Sequence, residues 1–172
     1  MVDIIDIRYW HYNDKGLWAP EAGKNMAPRQ WMRKFPVGKT SAAEAYKAVR
    51  EYRDRYPEKA VTFYSQQYPQ YGWAILMGGG SLANVKIDNE QLRKDLSMMK
   101  PMNGKDCKML GNGSLGYLIY RSGSNPSVQL SPGTYAVYAV NEKSGEVKIS
   151  MKSAKISFVY EPSHPIEWLQ RK

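Results

Sequence analysis

The sequence predicts an α+β protein in which alternating strands and helices are followed by a small antiparallel β-sandwich. Three observations favour this fold class. Strand-like and helix-like patterns alternate over residues 1–86, one helix-like run occupies residues 87–101, and short strand-like runs fill residues 102–172. We therefore expect a βαβα segment, a linker helix and a C-terminal β-sandwich with these boundaries.

Length and composition agree with a fold of this size. The chain has 172 residues, of which 42% are hydrophobic and 24% are charged, as in ordinary globular proteins. A complete eight-stranded α/β barrel takes about 250 residues, so the chain is too short to contain one. No apolar run approaches the roughly 20 residues of a membrane-spanning helix, and we expect no membrane span.

The first predicted strand covers residues 3–10, where β-branched and aromatic residues predominate. A long polar segment, residues 11–39, follows without a sustained hydrophobic period, and we expect a loop there. Residues 60–65 form a second strand-like run. Because a helix lies between the two strands, they should pair in parallel with a right-handed crossover.

The clearest helix begins at Ser41. Ser41 and Glu44 have the spacing of a capping box, in which each side chain satisfies a free backbone N–H group of the other residue. Pro57 ends the pattern, and Glu51 and Arg55 should form an ion pair one turn apart on the outer face. Residues at spacings of three and four form the expected buried face: Ala42, Ala45, Tyr46, Val49, Tyr52 and Tyr56.

Further elements complete the prediction. Apolar residues 71–77 end at the glycines 78–80, which indicates a short buried helix, with a strand as the alternative. A connecting helix is expected over residues 89–99, closed by Pro101. The run at 133–140 is apolar or aromatic on both faces and should be a central strand. The strand-like runs of the second half are residues 116–120, 127–130, 133–140, 147–151 and 156–160.

The charge of the chain favours a basic soluble surface over a nucleic-acid site. The formal net charge is +9, from 25 Lys and Arg against 16 Asp and Glu. This excess is spread evenly over both halves, whereas a nucleic-acid-binding module more often concentrates it on one element. Nucleic acid is therefore the weakest of the partners that we consider.

Motif matches for phosphate and metal binding fail on spacing. Residues 38–40 resemble the end of a phosphate-binding loop, but Arg33 occupies the place of the required first glycine. His11, His164 and the single cysteine, Cys107, are remote from one another in the sequence. We therefore predict no metal and no cofactor.

The strongest functional signal follows the two predicted strands. Ligands of parallel α/β proteins bind outside the carboxyl ends of the strands, and these ends carry aromatic side chains interleaved with Arg, Asn and Gln. That combination suits stacking on a sugar and hydrogen bonding to its hydroxyl groups. The alternative is that the aromatic side chains only pack the loop onto the scaffold. The candidate substrate-binding residues are Arg8, Tyr9, Trp10, His11, Asn25, Arg29, Gln30 and Tyr64.

A glycosidase needs a pair of carboxylates, and only one is a convincing candidate. Glu21 is the single glutamate of residues 11–39 and is our candidate catalytic acid. Asp6 alternates with Arg8 along the first strand, which would point it into a barrel. No second acid can be paired with Glu21 from the sequence.

Several stretches resemble bacterial glycoside-hydrolase-like proteins of gut-type polysaccharide degraders, which have a (β/α)8 barrel and a β-sandwich tail. Four stretches resemble the late barrel segment of those proteins: DIRYWHY at residues 6–12, APEAGKNMAPRQ at 19–30, AYKAVREYRD at 45–54 and WAILMGGGSL at 73–82. Four further stretches resemble their tail domain, which is labelled as collagen-binding: LGN at 110–112, GYLIY at 116–120, VQL at 128–130 and GTY at 133–135.

This resemblance implies that the first strand is the seventh of a barrel and that residues 60–65 form the eighth, so the βαβα segment would be the remnant of a TIM-type barrel. Related barrels commonly carry a catalytic acid at the end of strand seven. Here residues 8–11 contain no carboxylate, which weakens the case for a two-carboxylate mechanism. The resemblance also implies a secreted, periplasmic or cell-surface bacterial protein.

We therefore expect the C-terminal portion of a glycoside-hydrolase-like protein that acts on or binds carbohydrate. The isolated chain should not be catalytic, and its open barrel edge should associate with the remaining barrel strands or with another copy. The alternative is a stand-alone module that binds a glycan or a protein without catalysis.

Overall fold

The computed structural model has an α+β fold and describes residues 3–7, 11–13, 16–18, 41–63 and 69–172. The chain divides into two compact units, Met1–Asn84 and Val85–Lys172. The elements of the first unit are β1 (Ile4–Ile7), β2 (His11–Asn13), β3 (Gly16–Trp18), α1 (Ala42–Arg55), β4 (Ala60–Phe63), a 3₁₀ turn (Pro69–Tyr71) and α2 (Gly72–Met77).

Strands β1 and β4 pair in parallel, as the sequence predicts. Their register places Ile4 opposite Ala60 and Ile7 opposite Phe63. One face of this two-stranded sheet packs on the helices. The core of the first unit consists of Ile7, Val61 and Phe63 from the strands, Ala45, Ala48 and Val49 from α1, and Ile75 from α2.

Helix α1 begins with the predicted capping box. The Ser41 hydroxyl accepts a hydrogen bond from the Glu44 N–H at 3.2 Å, and the Glu44 carboxylate accepts one from the Ser41 N–H at 3.1 Å. The predicted ion pair of Glu51 and Arg55 is also present, at 3.0 Å. The local signals of this helix are therefore confirmed.

The buried face of α1 is shorter than predicted. Ala42 and Tyr56, expected on that face, are exposed, whereas Ala48, which was not predicted, is fully buried. The reason is length: a helix of 14 residues extends about 21 Å, and strands of four residues extend about 13 Å. The two ends of α1 therefore extend beyond the sheet that its middle covers.

Helix α2 is the predicted short buried helix ended by glycine, and the strand alternative is wrong. Gly79 has φ +86°, a left-handed conformation that glycine adopts without a steric penalty. A Cβ atom at Gly78 would lie 3.1 Å from the side chain of Val49. The glycines thus end the helix and let it approach α1 closely.

The hairpin formed by β2 and β3 corrects part of the loop prediction. The two strands pair antiparallel, with His11 opposite Trp18 and Asn13 opposite Gly16. Strands of three residues are too short to show a period, so the sequence pattern could not distinguish them from a loop.

The second unit contains one helix and eight strands within its described residues: α3 (Glu90–Leu96), β5 (Lys100–Asn103), β6 (Cys107–Asn112), β7 (Gly116–Arg121), β8 (Val128–Gln129), β9 (Gly133–Val140), β10 (Val147–Ile156), β11 (Val159–Tyr160) and β12 (Ile166–Arg171). Six of the strands form an antiparallel sheet in the order β10-β9-β12-β7-β6-β5. Strand β9 has a neighbour on each side, which confirms its predicted central place.

Strands β8 and β11 form a separate antiparallel pair. Val128 and Leu130 belong to the same buried cluster as residues of the six-stranded sheet, and Tyr160 packs against that cluster. The small sheet therefore covers one face of the large sheet. The members contributed by the large sheet are Cys107, Met109, Tyr117, Ile119, Tyr135, Val137, Ile156 and Leu169.

Strands β5, β6 and β12 were not predicted, and the bounds of several predicted elements differ; β11, for example, is shorter than the predicted run 156–160. Strand β6 is buried on both faces and β12 includes a buried glutamate, so neither shows a clean alternation of polar and apolar residues. Strand β10 continues to Ile156, beyond the predicted end at residue 151. Helix α3 ends at Leu96, and Pro101 lies in β5, an edge strand where proline is tolerated.

Across these described ranges, the structure contains no helix with the length and apolar character needed to span a membrane.

Candidate functional site

Most predicted site residues fall outside the residues that the structure describes. These are Arg8, Tyr9, Trp10, Glu21, Asn25, Arg29, Gln30 and Tyr64. His11 is the first residue of β2, where its backbone pairs with Trp18, and only this backbone position is described. The proximity of these side chains to one another therefore stays a prediction.

The described part of the site is the edge where β1 and β4 end. Ile7 and Phe63 are the last residues of the two parallel strands and lie opposite each other, so both carboxyl ends meet at one edge of the sheet. Arg8 and Tyr64 follow directly in the sequence. In parallel α/β proteins this edge is the usual place for a ligand.

A carboxylate and a hydroxyl lie one residue before this edge. Asp6 and Thr62 are cross-strand neighbours, and the Thr62 hydroxyl donates a hydrogen bond of 2.9 Å to Oδ1 of Asp6. Both side chains lie on the sheet face opposite to the helices, because Ile7 and Phe63, one residue further, face the helices. Ile4, on the same face as Asp6, is 58% exposed. This face therefore offers polar groups next to an exposed apolar side chain.

The second unit contains a buried carboxylate, Glu167 in β12, with no solvent exposure. Its Oε2 accepts a hydrogen bond of 2.6 Å from the Tyr160 hydroxyl. Its Oε1 accepts hydrogen bonds from the Ser163 N–H at 3.0 Å, from the Ser163 hydroxyl at 2.9 Å and from the His164 N–H at 2.9 Å. The His164 ring contacts the same oxygen through Nδ1 at 2.7 Å.

The geometry of this cluster does not match a nucleophilic triad. In a triad the serine contacts one ring nitrogen of histidine and the acid contacts the other. Here the Ser163 hydroxyl and Glu167 both lie beside Nδ1 of His164, at 3.0 and 2.7 Å. The serine hydroxyl donates to the carboxylate and is not activated by a base. The cluster holds residues 161–165, the connection between β11 and β12, to the large sheet.

The charged form of Glu167 is stabilised despite its burial. Burial by itself would raise the pKa of this carboxyl, but hydrogen bonds from Tyr160, His164 and Ser163 outweigh that effect and lower the pKa. Burial and the hydrogen bond to Glu167 raise the pKa of the Tyr160 phenol well above its ordinary value. The two groups are therefore held as carboxylate and neutral phenol.

Sequence reasoning missed this cluster because its members are ordinary residue types without a motif. One signal was available: Glu167 interrupts the apolar run formed by Ile166, Trp168 and Leu169. A charged residue within an apolar strand indicates a buried charge with dedicated hydrogen-bond partners.

Within the described ranges, no group of three or more His, Cys, Asp or Glu side chains is arranged to hold a metal ion. Cys107 is buried, and burial and the neighbouring Asp106 raise the pKa of its thiol. A raised pKa keeps a thiol in its unreactive form. This thiol is therefore not poised as a nucleophile.

A comparison with known protein families places the first half of the chain. The profile of DUF6298, a domain of unknown function, matches residues 1–99, more than half of the chain. The chain therefore belongs to the DUF6298 family. Neither the curated proteins nor the solved structures gave a match to the chain.

Proposed function

We propose that the chain is the C-terminal part of a glycoside-hydrolase-like barrel protein, that it binds carbohydrate at the carboxyl edge of β1 and β4, and that it is not catalytic by itself. The resemblance of the sequence to such proteins motivates the proposal. The observation that carries it is the parallel β1–β4 sheet, with helices on one face and a polar group at its carboxyl edge.

Parallel sheets occur almost only with both faces covered, and two strands alone are too few for an independent sheet. Here the helices cover the face that contains Val61 and Phe63, while Ile4 on the other face is largely exposed. In a closed barrel that other face would point to the interior, where further strands protect it. A barrel formed with additional strands accounts for this one-sided arrangement.

The polar groups at the edge fit a ligand rich in hydroxyl groups. The Asp6 carboxylate accepts hydrogen bonds, and the Thr62 hydroxyl both donates and accepts them. Aromatic residues such as Trp10, together with Arg29 and Gln30, are proposed to contact the sugar at the same edge. Glu21 is proposed as the acid that functions in the complete barrel.

Affinity electrophoresis through gels that contain neutral or acidic polysaccharides tests carbohydrate binding directly. Retardation of the wild-type chain by one of these polymers is expected, and no retardation by any of them would contradict the proposal. Asp6→Asn should weaken the retardation, because it removes the charged acceptor. Glu58→Gln is the matched control: it makes the same charge change at an exposed residue in the turn before β4, at the opposite end of the sheet.

The mass of the native product in its source cells tests the barrel. Intact-protein mass spectrometry after capture with an antibody to the second unit should give a species much heavier than 19.7 kDa. A species of that mass would favour the alternative, a stand-alone module that binds a glycan or a protein without catalysis.

A further inference from the structure

The turn between β6 and β7 contains an Asn-Gly dipeptide in an unusual hydrogen-bonding environment. The Leu115 N–H donates to the Asn112 carbonyl at 3.0 Å, which closes a four-residue turn with Gly113 and Ser114 in its middle. Gly113 and Ser114 are both exposed. Asn-Gly is a common turn sequence, and it is also the dipeptide in which an asparagine side chain meets the least hindered backbone nitrogen.

The side chain of Asn112 is fixed over the turn. Its Oδ1 accepts hydrogen bonds from the Ser114 N–H at 3.1 Å and from the Ser114 hydroxyl at 2.7 Å. Its Nδ2 donates to the Met98 carbonyl at 3.2 Å. The backbone N–H can only donate and the carbonyl can only accept, so these partners determine which amide atom is the oxygen.

This arrangement has chemical consequences for the amide carbon of Asn112. Two donors on Oδ1 polarise the carbonyl group and would stabilise negative charge on that oxygen, as donors do in an oxyanion hole. The potential nucleophile is the adjacent backbone nitrogen of Gly113, and none of the described hydrogen bonds uses its N–H. There is also space around this glycine, because a Cβ atom at Gly113 would meet only the Ser131 hydroxyl, at 3.6 Å.

We propose that Asn112 is a site of spontaneous deamidation, with Ser114 as a positioning residue for the reaction. The Gly113 nitrogen attacks Cγ of Asn112 and loses its proton to solvent. The bond between Cγ and Nδ2 breaks, and Nδ2 leaves as ammonia after it takes up a proton. Water then opens the cyclic imide at either carbonyl, which gives aspartate or isoaspartate at position 112. The sum is one water consumed and one ammonia released, without oxidation or reduction.

The product changes the turn in two ways. A carboxylate replaces the amide that donates to Met98, and the net charge of the chain falls by one. The isoaspartate form adds a methylene group to the backbone next to Gly113, whose carbonyl accepts a 2.6 Å hydrogen bond from Arg171 in β12. The modification therefore acts on the contact between the β6–β7 turn and the central part of the sheet.

The chain contains a natural control, because Asn103 is also followed by a glycine. Asn103 is the last residue of β5, opposite Lys108, just as Asn112 is the last residue of β6, opposite Gly116, so the two asparagines share their strand context. The space at the following glycine differs: a Cβ atom at Gly104 would collide with the sulfur of Cys107 and reach Val128. The two sites thus have the same local dipeptide and different surroundings.

The test is peptide mass spectrometry of the folded chain during incubation at neutral pH, with isoaspartate identified by electron-transfer fragmentation. Position 112 should convert faster than position 103. Ser114→Ala should slow the conversion of Asn112 about fivefold, the factor that one neutral hydrogen bond contributes. Gly113→Ala, which the structure accommodates, should nearly abolish it.

Each variant needs a circular dichroism spectrum and a thermal melt that match the wild type. Equal rates at positions 103 and 112 would overturn the proposal. A faster reaction in Ser114→Ala would mean that the hydroxyl hydrogen bond protects Asn112, and an unchanged rate would mean that it contributes nothing; either result would overturn the proposal. Unchanged conversion in Gly113→Ala would contradict a reaction that depends on the unhindered nitrogen of Gly113.

Discussion

The hydroxyl of Tyr160 donates a 2.6 Å hydrogen bond to the fully buried carboxylate of Glu167. Tyr160 lies in β11 of the two-stranded sheet and Glu167 in β12 of the six-stranded sheet. The bond therefore joins the two layers of the second unit at a point where an unpaired charge would be costly. Ser163 and His164 donate further hydrogen bonds to the other oxygen of this carboxylate.

Replacement of Glu167 by glutamine should destabilise the chain by about 1.5–3 kcal/mol, the contribution of hydrogen bonds to a charged group. Glutamine has nearly the same volume, but its NH2 group faces donors and cannot accept from them. Urea denaturation followed by circular dichroism measures the loss. Glu161→Gln makes the same change at an exposed residue of the preceding connection and should be nearly neutral. Equal stability of the two variants would show that the cluster contributes little.

The contribution of Glu167 should depend on pH. Since hydrogen bonds lower the pKa of this carboxyl in the folded chain, its stabilisation is complete above the ordinary value of 4.5. Below pH 4.5 the unfolded chain binds the proton first, so the stabilisation is lost as the pH falls through the folded pKa. The difference in unfolding free energy between wild type and Glu167→Gln should therefore shrink below pH 4.5. A difference that grows below pH 4.5 would contradict the assignment.

Gly116, the first residue of β7, should not tolerate a side chain. Its φ is +134°, and a Cβ atom there would collide with the backbone carbonyl of Leu169 in the neighbouring strand. Gly116→Ala should therefore cost about 3 kcal/mol or more, or prevent folding of the second unit. Gly113→Ala in the adjacent turn is the control, because the space there is open. Thermal melts of both variants decide the question, and similar melting temperatures would refute the constraint.

The capping box should contribute measurably to helix α1. Ser41→Ala removes the hydroxyl that accepts from the Glu44 N–H and should cost about 1 kcal/mol. Ser41→Asp provides an equivalent acceptor and should restore the loss. Hydrogen exchange of the first amides of α1 reports the change locally: protection should fall in Ser41→Ala and recover in Ser41→Asp. Unchanged protection in Ser41→Ala would mean that packing alone holds this end.

Local signals explain why most of the first unit could be predicted. The cap at Ser41, the ion pair of Glu51 and Arg55 and the glycines after Met77 depend on residues within one or two turns of each other, and all are present. The exposure of Ala42 and Tyr56 could not be predicted, because it depends on how far the sheet extends beneath the helix. The short hairpin of β2 and β3 was missed for lack of a period.

The candidate site also has one part that the sequence predicts and one part that it does not. The edge of β1 and β4 follows from parallel pairing, which the strand–helix–strand order predicts. The hydrogen bond between Asp6 and Thr62 depends on the register of two strands that are 56 residues apart, and no local pattern encodes that register. The Glu167 cluster could not be predicted either, because it depends on β11 and β12 lying in different sheets.

The sequence by itself determined the α+β class, the parallel strand pair, the boundaries of α1 and α2 and the central place of β9, because short-range hydrogen bonding, hydrophobic pattern and the order of strands and helices decide these features. Only the tertiary structure decided which polar groups meet: Asp6 with Thr62, Tyr160 with Glu167, and Asn112 with Met98. Such contacts depend on strand register and on the packing of strands and turns within each unit, and the hydrophobic pattern of the sequence does not specify either one.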